Sequence, residues 1–384
     1  MASEAAPINP AMIRWARESA GYELEDVAAR LQVRVETVAK WEAGQASVTY
    51  GRVDDLAAMF RRPTAVLYLD SPPVEDTAFP KDFRADDHRK SPGLILQVRR
   101  AKERRETALD LAAELNEKLE SFPFGCRVDD DPEVAGSRLR DALGPSLPHP
   151  NSGDDGSDYE VLGARKVAAE EAGALVFQAP GADLASVSGF SLHYELLPLL
   201  VLRASDSPRR RSFTLFHELA HLGLRQGGLC DLHDEGVEWF CNRVAAAALM
   251  PSSAVHAALA AHRVSHVPTF AQLSNVARSF SVSEQALLLR LVTVGVVPLD
   301  TYMARRGAFQ RKEADLARSE SGGGGTHRVV VLSQNGERFS RLVLEAFQRG
   351  VLTGHRAATH LRTSVNGLDQ LASDLARRAV RRAS

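Results

Sequence analysis

One stretch limits the fold of this chain more than any other: Phe213-Thr-Leu-Phe-His217-Glu218-Leu-Ala-His221-Leu-Gly-Leu224. Phe213, Phe216, Leu219, Ala220, Leu222 and Leu224 make it a helix with apolar residues on most sides, which places it inside a core. Two histidines and a glutamate are costly to bury there unless something compensates them. Residues four apart share a helix face, so His217 and His221 can reach one metal ion, while Glu218 can address a water bound beside it. The residue types divide the work. Two neutral imidazoles hold Zn²⁺, and the carboxylate takes a proton from a water that the ion has acidified toward a pKa of ~7. On a surface helix the same residues would be three solvated side chains, but the apolar surroundings do not fit that reading.

A hydrolytic site of this kind takes a third protein ligand and leaves one position open. The downstream candidates are Cys230, Asp231, His233, Asp234, Glu235 and Glu238. All but the last fall in the glycine-bounded polar run 227–236, which reads as a loop. Glu238 opens a second apolar helix that ends before Pro251, and a packed helix fixes a ligand better than a loop does, so Glu238 is the first choice. Asn242 is four residues further on the same face, where it can orient a ligand from behind. A helix-starting acid favoured by the helix dipole is the plainer explanation of Glu238.

The run Arg209-Arg-Arg-Ser-Phe-Thr-Leu-Phe-His-Glu-Leu-Ala-His-Leu222, followed by Glu238-x-x-x-Asn242-Arg-x-Ala-Ala-Ala-x-Leu-Met-Pro251, resembles the ImmA/IrrE-type metallopeptidases over roughly residues 160–295. The resemblance implies a cytoplasmic zinc endopeptidase with His217, His221 and Glu238 as metal ligands and Glu218 as catalytic base. It also implies a protein substrate, a helix-turn-helix repressor or an antitoxin, in stress-response or toxin–antitoxin control. One departure is Cys241, where the family usually has alanine; it is expected to affect packing and not ligation.

Upstream, residues 10–70 hold a run of short helices. Leu24, Val27, Ala28 and Leu31, then Val33, Val38 and Trp41, have the spacing of two helices crossing around a tight turn. This pattern resembles the Cro/repressor (XRE) helix-turn-helix, including the Trp-Glu-x-Gly that closes its second helix. By position, Val35, Glu36 and Lys40 face bases, and Arg34 and Thr37 contact phosphate. Charge argues the other way: residues 1–70 hold eight Lys/Arg against ten Asp/Glu, whereas DNA affinity rests mostly on phosphate neutralisation. Operator binding helped by a homodimer, or recognition of a protein, are the readings left open.

The expected organisation is multidomain and mainly α with a small β-sheet: an all-α helix-turn-helix domain over 8–70, a linker and long helical connector over 71–157, an α+β zincin-like metallopeptidase domain over 158–296, a linker over 297–325 and a small α-rich C-terminal module over 326–384. Within it, Phe79–Arg84 reads as a docking strap and 321–326 as a tether. The basic cluster Arg99, Arg100, Lys102, Arg104 and Arg105 reads as a solvated helix face, and Arg328–Leu332 as a strand. Residues 174–178, 186–193 and 197–202 are three further strands; His193 and Tyr194, just before the last, are placed where they could polarise a scissile carbonyl but read as a surface histidine and a half-buried tyrosine. The segment 270–291 imitates a helix-turn-helix but is expected to close the peptidase domain, and Arg377, Arg378, Arg381 and Arg382 crowd the end of the last helix.

A net charge of −2 gives no overall pull toward nucleic acid. Cys126, Cys230 and Cys241 fit no disulfide framework, and no apolar run reaches a membrane span, so the expected location is the cytoplasm without membrane contact. The expected cofactor is Zn²⁺, though two histidines and a carboxylate also accept Mn²⁺. Two other classes of function fit the same residues: a DNA-binding transcriptional regulator whose zinc domain is sensory or structural, and a toxin–antitoxin component acting by protein contact. Glu218 separates them from an enzyme, because a structural zinc site has no use for a carboxylate beside an open position.

Overall fold

A computed structural model describes residues 4–73, 91–149, 157–225, 235–264, 266–319 and 326–383, and the chain divides into two compact units, residues 1–100 and 101–384. Helices dominate and one three-stranded sheet is present among the described residues, so the expected mainly α architecture is observed. The strap Phe79–Arg84 and the glycine run 321–325 lie outside them.

In the first unit α1 (Pro10–Ser19), α2 (Leu24–Leu31), α3 (Val35–Glu42) and α4 (Tyr50–Phe60) surround a core of Met12, Ile13, Val27, Val38, Leu56 and Phe60. Asn9 caps α1 by accepting from the Ala11 amide, with Pro10 in the first position where no amide hydrogen is needed. Between α2 and α3 the chain reverses at Gln32 in the left-handed conformation (φ 55°), and the Val33 amide donates back to the Ala28 carbonyl at 3.0 Å. A buried ion pair locks α1 to α3: Arg17 donates to both Glu42 carboxylate oxygens, at 2.6 and 3.1 Å, and to the Tyr22 carbonyl at 2.8 Å. The Arg17 side chain is 8% exposed and that of Glu42 3%. The glutamate of the Trp-Glu-x-Gly signature is therefore an internal anchor.

α5 (Pro92–Glu114) starts in the first unit and runs into the second. There α6 (Pro132–Leu143) and α7 (Asp158–Glu171) precede the strands β1 (Leu175–Ala179), β2 (Gly189–Leu192) and β3 (Leu199–Arg203). Their order is β1-β3-β2, with β1 parallel and β2 antiparallel to the central β3. β1 is buried throughout and β3 nearly so, which explains their continuous apolar sequence. α8 (Pro208–Gly223) packs on β2 and β3, and α9 (Glu235–Leu249) packs on α8 and α6. At the α6–α9 crossing a Cβ on Gly136 would sit 2.7 Å from the Ala247 Cβ, so only glycine permits this approach. The end of α9 is pinned by two arginines: Arg140 donates to the Ala248 carbonyl at 2.8 Å and the buried Arg290 to the Met250 carbonyl at 2.9 Å. These are carbonyls that a helix end otherwise leaves unpaired. Glu133 in turn accepts from Arg290 through both carboxylate oxygens.

α10 (Ser252–Ala261), α11 (Phe270–Ser279), α12 (Glu284–Thr293) and α13 (Leu299–Ser319) continue the unit. Residues 299–319, read from sequence as linker, are helical, with Phe309 buried and its ring edge-on to Phe270 at 5.9 Å. The chain ends in α14 (His327–Asn335), α15 (Glu337–Gln348), α16 (Gly354–Leu361) and α17 (Leu368–Ala383). Residues 328–332 are helix and not the expected strand: α14 seats Val331 and Leu332 against β1, and packing overrides the β preference of the valines. The basic cluster on α5 is likewise not a solvated face throughout, since Arg105 donates to the Leu196 carbonyl at 2.9 Å and lies over the Tyr194 ring, and Arg104 donates to the Gln334 carbonyl at 3.2 Å.

Where α15 meets α7, Glu170 accepts from the Glu337 amide at 3.1 Å, and Arg338 donates to the Glu170 carbonyl at 2.8 Å. Gly336 (φ +73°) comes so close that a Cβ would lie 2.6 Å from the Val176 carbonyl oxygen. Burial pushes the Glu170 carboxyl up to about 7 against the pull of Lys166 one turn earlier.

Among the described residues no single helix is long and apolar enough to cross a membrane.

Two outcomes follow from these buried charges. Arg17→Met leaves Glu42 buried without its partner and is expected to cost about 3–5 kcal/mol, whereas losing the looser contact of the exposed Arg14 should cost no more than ~1 kcal/mol. Hydrogen exchange of the α1 and α3 amides reads both. For Glu170 the folded-state value lies above the ordinary 4.5, so its contribution to stability is full below 4.5 and lost as pH rises through about 7. Glu170→Gln should remove a pH-dependent loss on the order of 3 kcal/mol, measured as the urea midpoint across that window.

Candidate metal centre

The helix that holds the centre is set by its own ends and neighbours. Ser207 caps α8 by accepting from the Arg210 amide, and Pro208 occupies the first turn. The three arginines that open the motif are structural: Arg209 pairs with Asp158 at 2.8 Å, Arg210 with Asp206 at 3.4 Å, and Arg211 donates to the Gln178 side chain at 2.9 Å. Phe216, Leu219 and Ala220 then bury the helix against the core and leave the opposite face to the polar residues.

On that face His217, His221 and Glu238 come together, their nearest ligating atoms all within 4.8 Å of one another. The two Nε2 atoms are 2.9 Å apart; Glu238 reaches His221 Nε2 at 3.1 Å through Oε1 and His217 Nε2 at 3.4 Å through Oε2. A tetrahedral ion with bonds of about 2.0–2.1 Å spaces its ligand atoms by roughly 3.4 Å, close to these separations. The arrangement fits a metal for a further reason. The Asn242 side-chain oxygen lies 3.1 Å from His217 Nδ1, and Cys241 Sγ lies 3.4 Å from His221 Nδ1. Asn242 Oδ1, an acceptor, holds the His217 proton on Nδ1 and turns that ring's Nε2 inward, while the Cys241 thiol backs the His221 ring. Glu238 Oε1 is buried and faces His221 Nε2. Two ring nitrogens and a carboxylate facing one point suit a cation.

Electrostatics carry the same signature. Burial lowers the His217 pKa, but the hydrogen bond to Glu238 and the charges of Glu218 and Glu238 outweigh it and raise the value above 6.5. Burial raises the Glu238 carboxyl, yet the hydrogen bonds to His217 and His221 hold it well below the usual carboxylate range. Exposure grades outward, from 3% for the His221 side chain to 16% for His217 and 27% for Glu238, so the centre opens to solvent on the His217–Glu238 side.

Glu218, the next residue along α8, accepts the Ser191 hydroxyl of β2 through Oε2 at 2.7 Å. Sequence alone gave no reason to select Ser191, since only the packing of β2 on α8 brings it there. That packing rests on Gly189, whose Cβ would lie 2.8 Å from the Thr214 methyl and 2.9 Å from the Val201 carbonyl oxygen. Cys241, expected to matter for packing alone, touches His221 directly. His193 is half-buried, and burial together with the nearby Arg225 lowers its pKa. Of the other proposed ligands, Glu235 is exposed at the start of α9, while Cys230, Asp231, His233 and Asp234 lie outside the described residues. In the first unit Arg34, Glu36 and Lys40 are exposed, whereas Thr37 is half-buried and Val35 packs on the core.

Residues 169–292 match the peptidase family described as IrrE N-terminal-like domain, and residues 13–67 match the helix-turn-helix family. The radiation response metalloprotease IrrE of Deinococcus radiodurans is 29% identical over 201 residues, which cover 45% of this chain. The match spans 59% of that relative's length. The chain thus carries an XRE-type helix-turn-helix domain and, behind it, a metallopeptidase domain of the ImmA/IrrE type.

Proposed function

We propose that the chain is a cytoplasmic zinc-dependent endopeptidase that cleaves a transcriptional repressor or an antitoxin, with domains bounded as the sequence suggests and the N-terminal helix-turn-helix recognising that protein or its operator. One observation carries the reading: a buried carboxylate, Glu218, stands one residue from a metal-ready trio that opens to solvent. A purely structural site has no work for it. Cys126 and Cys241 form no disulfide among the described residues, in keeping with a reducing compartment.

In this reading His217, His221 and Glu238 hold Zn²⁺, and Asn242 keeps His217 in the ligating tautomer. The ion, when bound, supplies Lewis acidity toward the scissile carbonyl and toward water. Ser191 occupies one oxygen of Glu218 and fixes its rotamer, so the other oxygen accepts a proton from the attacking water. As the water oxygen bonds to the carbonyl carbon and the carbon–nitrogen bond breaks, Glu218 returns that proton to the leaving amine. Among the described residues β2 has β3 on one side only, and its outer edge suits an extended substrate backbone pairing beside Glu218. The half-buried His193 and the Arg105-stacked Tyr194 are left as scaffold in this scheme.

Metal content after zinc loading and exhaustive dialysis is the first check. The wild type should retain one Zn²⁺ per chain, Glu238→Ala should lose it, and Asn242→Ala should bind about 10–100-fold more weakly. A Glu238→Ala protein that keeps its zinc contradicts the ligand set. For the chemistry, labelling of new protein amino termini in host lysate should reveal cleavage by the zinc-loaded wild type. Glu218→Gln should keep the metal and lose about 10²–10⁴-fold in rate; equal cleavage by both proteins rules out the proposed base.

A further inference from the structure

The turn that joins α2 to α3 occurs again at the other end of the chain. α16 ends at Arg362 in the left-handed conformation (φ 55°, ψ 49°), as α2 ends at Gln32 (φ 55°, ψ 45°). The Thr363 amide donates to the Ala358 carbonyl at 3.0 Å, as the Val33 amide does to Ala28 at 3.0 Å. Extended residues follow, Ser364 in one case and Arg34 in the other, and the next helical turn starts at Val365 or Val35. The buried positions repeat with the same spacing: Val27, Ala28, Leu31, Val38 and Trp41 in the first, Ala357, Ala358, Leu361, Leu368 and Leu371 in the second. A shared turn and a shared core pattern make α16–α17 a helix-turn-helix in its own right.

A third such turn joins α11 to α12, with Ser281 at φ 48° and the Val282 amide donating to Ala277 at 3.1 Å. Its second helix is not free: Glu284, Leu287, Leu288, Arg290 and Leu291 are buried, and Arg290 is engaged by Glu133 and the end of α9. That copy is scaffold. In the C-terminal copy Val365, Asn366 and Asp369 are exposed at the start of the second helix.

Charge separates the two open copies. Residues 1–70 carry eight Lys/Arg against ten Asp/Glu, while residues 349–384 carry seven arginines against two aspartates. One of those aspartates, Asp374, is occupied by Arg328 and Arg377. Arg356, on the first turn of α16, and Arg362, in the turn itself, are exposed and have no carboxylate within ion-pair distance among the described residues. In docked helix-turn-helix domains the first helix crosses the phosphate backbone and the start of the second enters the major groove, and these are the places where Arg356, Arg362 and Asn366 stand.

We propose that the C-terminal α16–α17 helix-turn-helix binds duplex DNA, with Arg356 and Arg362 on backbone phosphates and Asn366 at a base edge, and that it supplies most of this protein's DNA affinity. The site does not depend on the peptidase chemistry. The acidic N-terminal copy is thereby released to recognise protein.

Fluorescence anisotropy of a labelled mixed-sequence duplex of about 20 base pairs, titrated with the full-length protein between roughly 50 and 200 mM salt, tests this. Wild type should bind with an affinity that falls linearly on a log–log salt plot. Arg356→Glu with Arg362→Glu should weaken binding at least about tenfold, and Arg356→Gln with Arg362→Gln should lower the salt slope by about 2 while circular dichroism and zinc content stay unchanged. Arg34→Glu with Lys40→Glu should leave binding within about threefold, a change smaller than one lost phosphate contact produces. The proposal is overturned by no binding at the lowest salt, by unaltered binding in both Arg356/Arg362 variants, by a loss confined to the Arg34/Lys40 variant, or by a single strand of the same length binding as tightly as the duplex.

Discussion

Two imidazole nitrogens 2.9 Å apart, with one carboxylate against both, need a shared proton or a cation between them. Much of the second unit serves that demand. Ion pairs hold the start of α8, and Arg140 and Arg290 hold the end of α9, so the helices that bring His217, His221 and Glu238 together are fixed at the ends where frayed backbone would let them shift. The cost of burying these groups without a cation is what makes the geometry informative, because a packed protein keeps such an arrangement only where something compensates it.

Small residues decide how closely the layers approach the centre. Gly136 lets α6 lie directly on α9, and Gly189 lets β2 press onto α8 until Ser191 reaches Glu218. Gly336 does the same where α15 meets β1 and α7. At Gly136 and Gly189 the nearest neighbour is a packed methyl, and at Gly336 the Val176 carbonyl oxygen lies 2.6 Å away, so backbone or packed groups that cannot move aside bar a side chain at each point. The C-terminal helices consequently belong to the same compact unit as the metal centre, and the buried Glu170 lies at their junction.

The same helix-turn-helix turn is used three times with different results. Between α2 and α3 it sits in an acidic unit locked by Arg17 and Glu42; between α11 and α12 its second helix is consumed by the core; between α16 and α17 it faces outward beside free arginines. A fold element is defined by its turn and buried spacing, whereas its use depends on the charge and exposure of the residues left over.

The sequence by itself determined the helices that carry the centre, because His217, Glu218 and His221 are set by a four-residue period and Glu238 and Asn242 by the next one. It also determined the first helix-turn-helix, through apolar spacing that only a tight crossing satisfies. Local spacing could not reveal contacts between distant segments. Ser191 reaches Glu218 only because β2 packs on α8, and Cys241 reaches His221 only because α9 crosses at that height. Residues 328–332 carry a strand preference, but burial of Val331 and Leu332 against β1 makes them helical. Arg104 and Arg105 read as solvated because their carbonyl acceptors, on Gln334 and Leu196, are far away in sequence. Periodicity is a property of neighbouring residues and survives any fold that keeps the helix; partners at long range exist only once the core has closed.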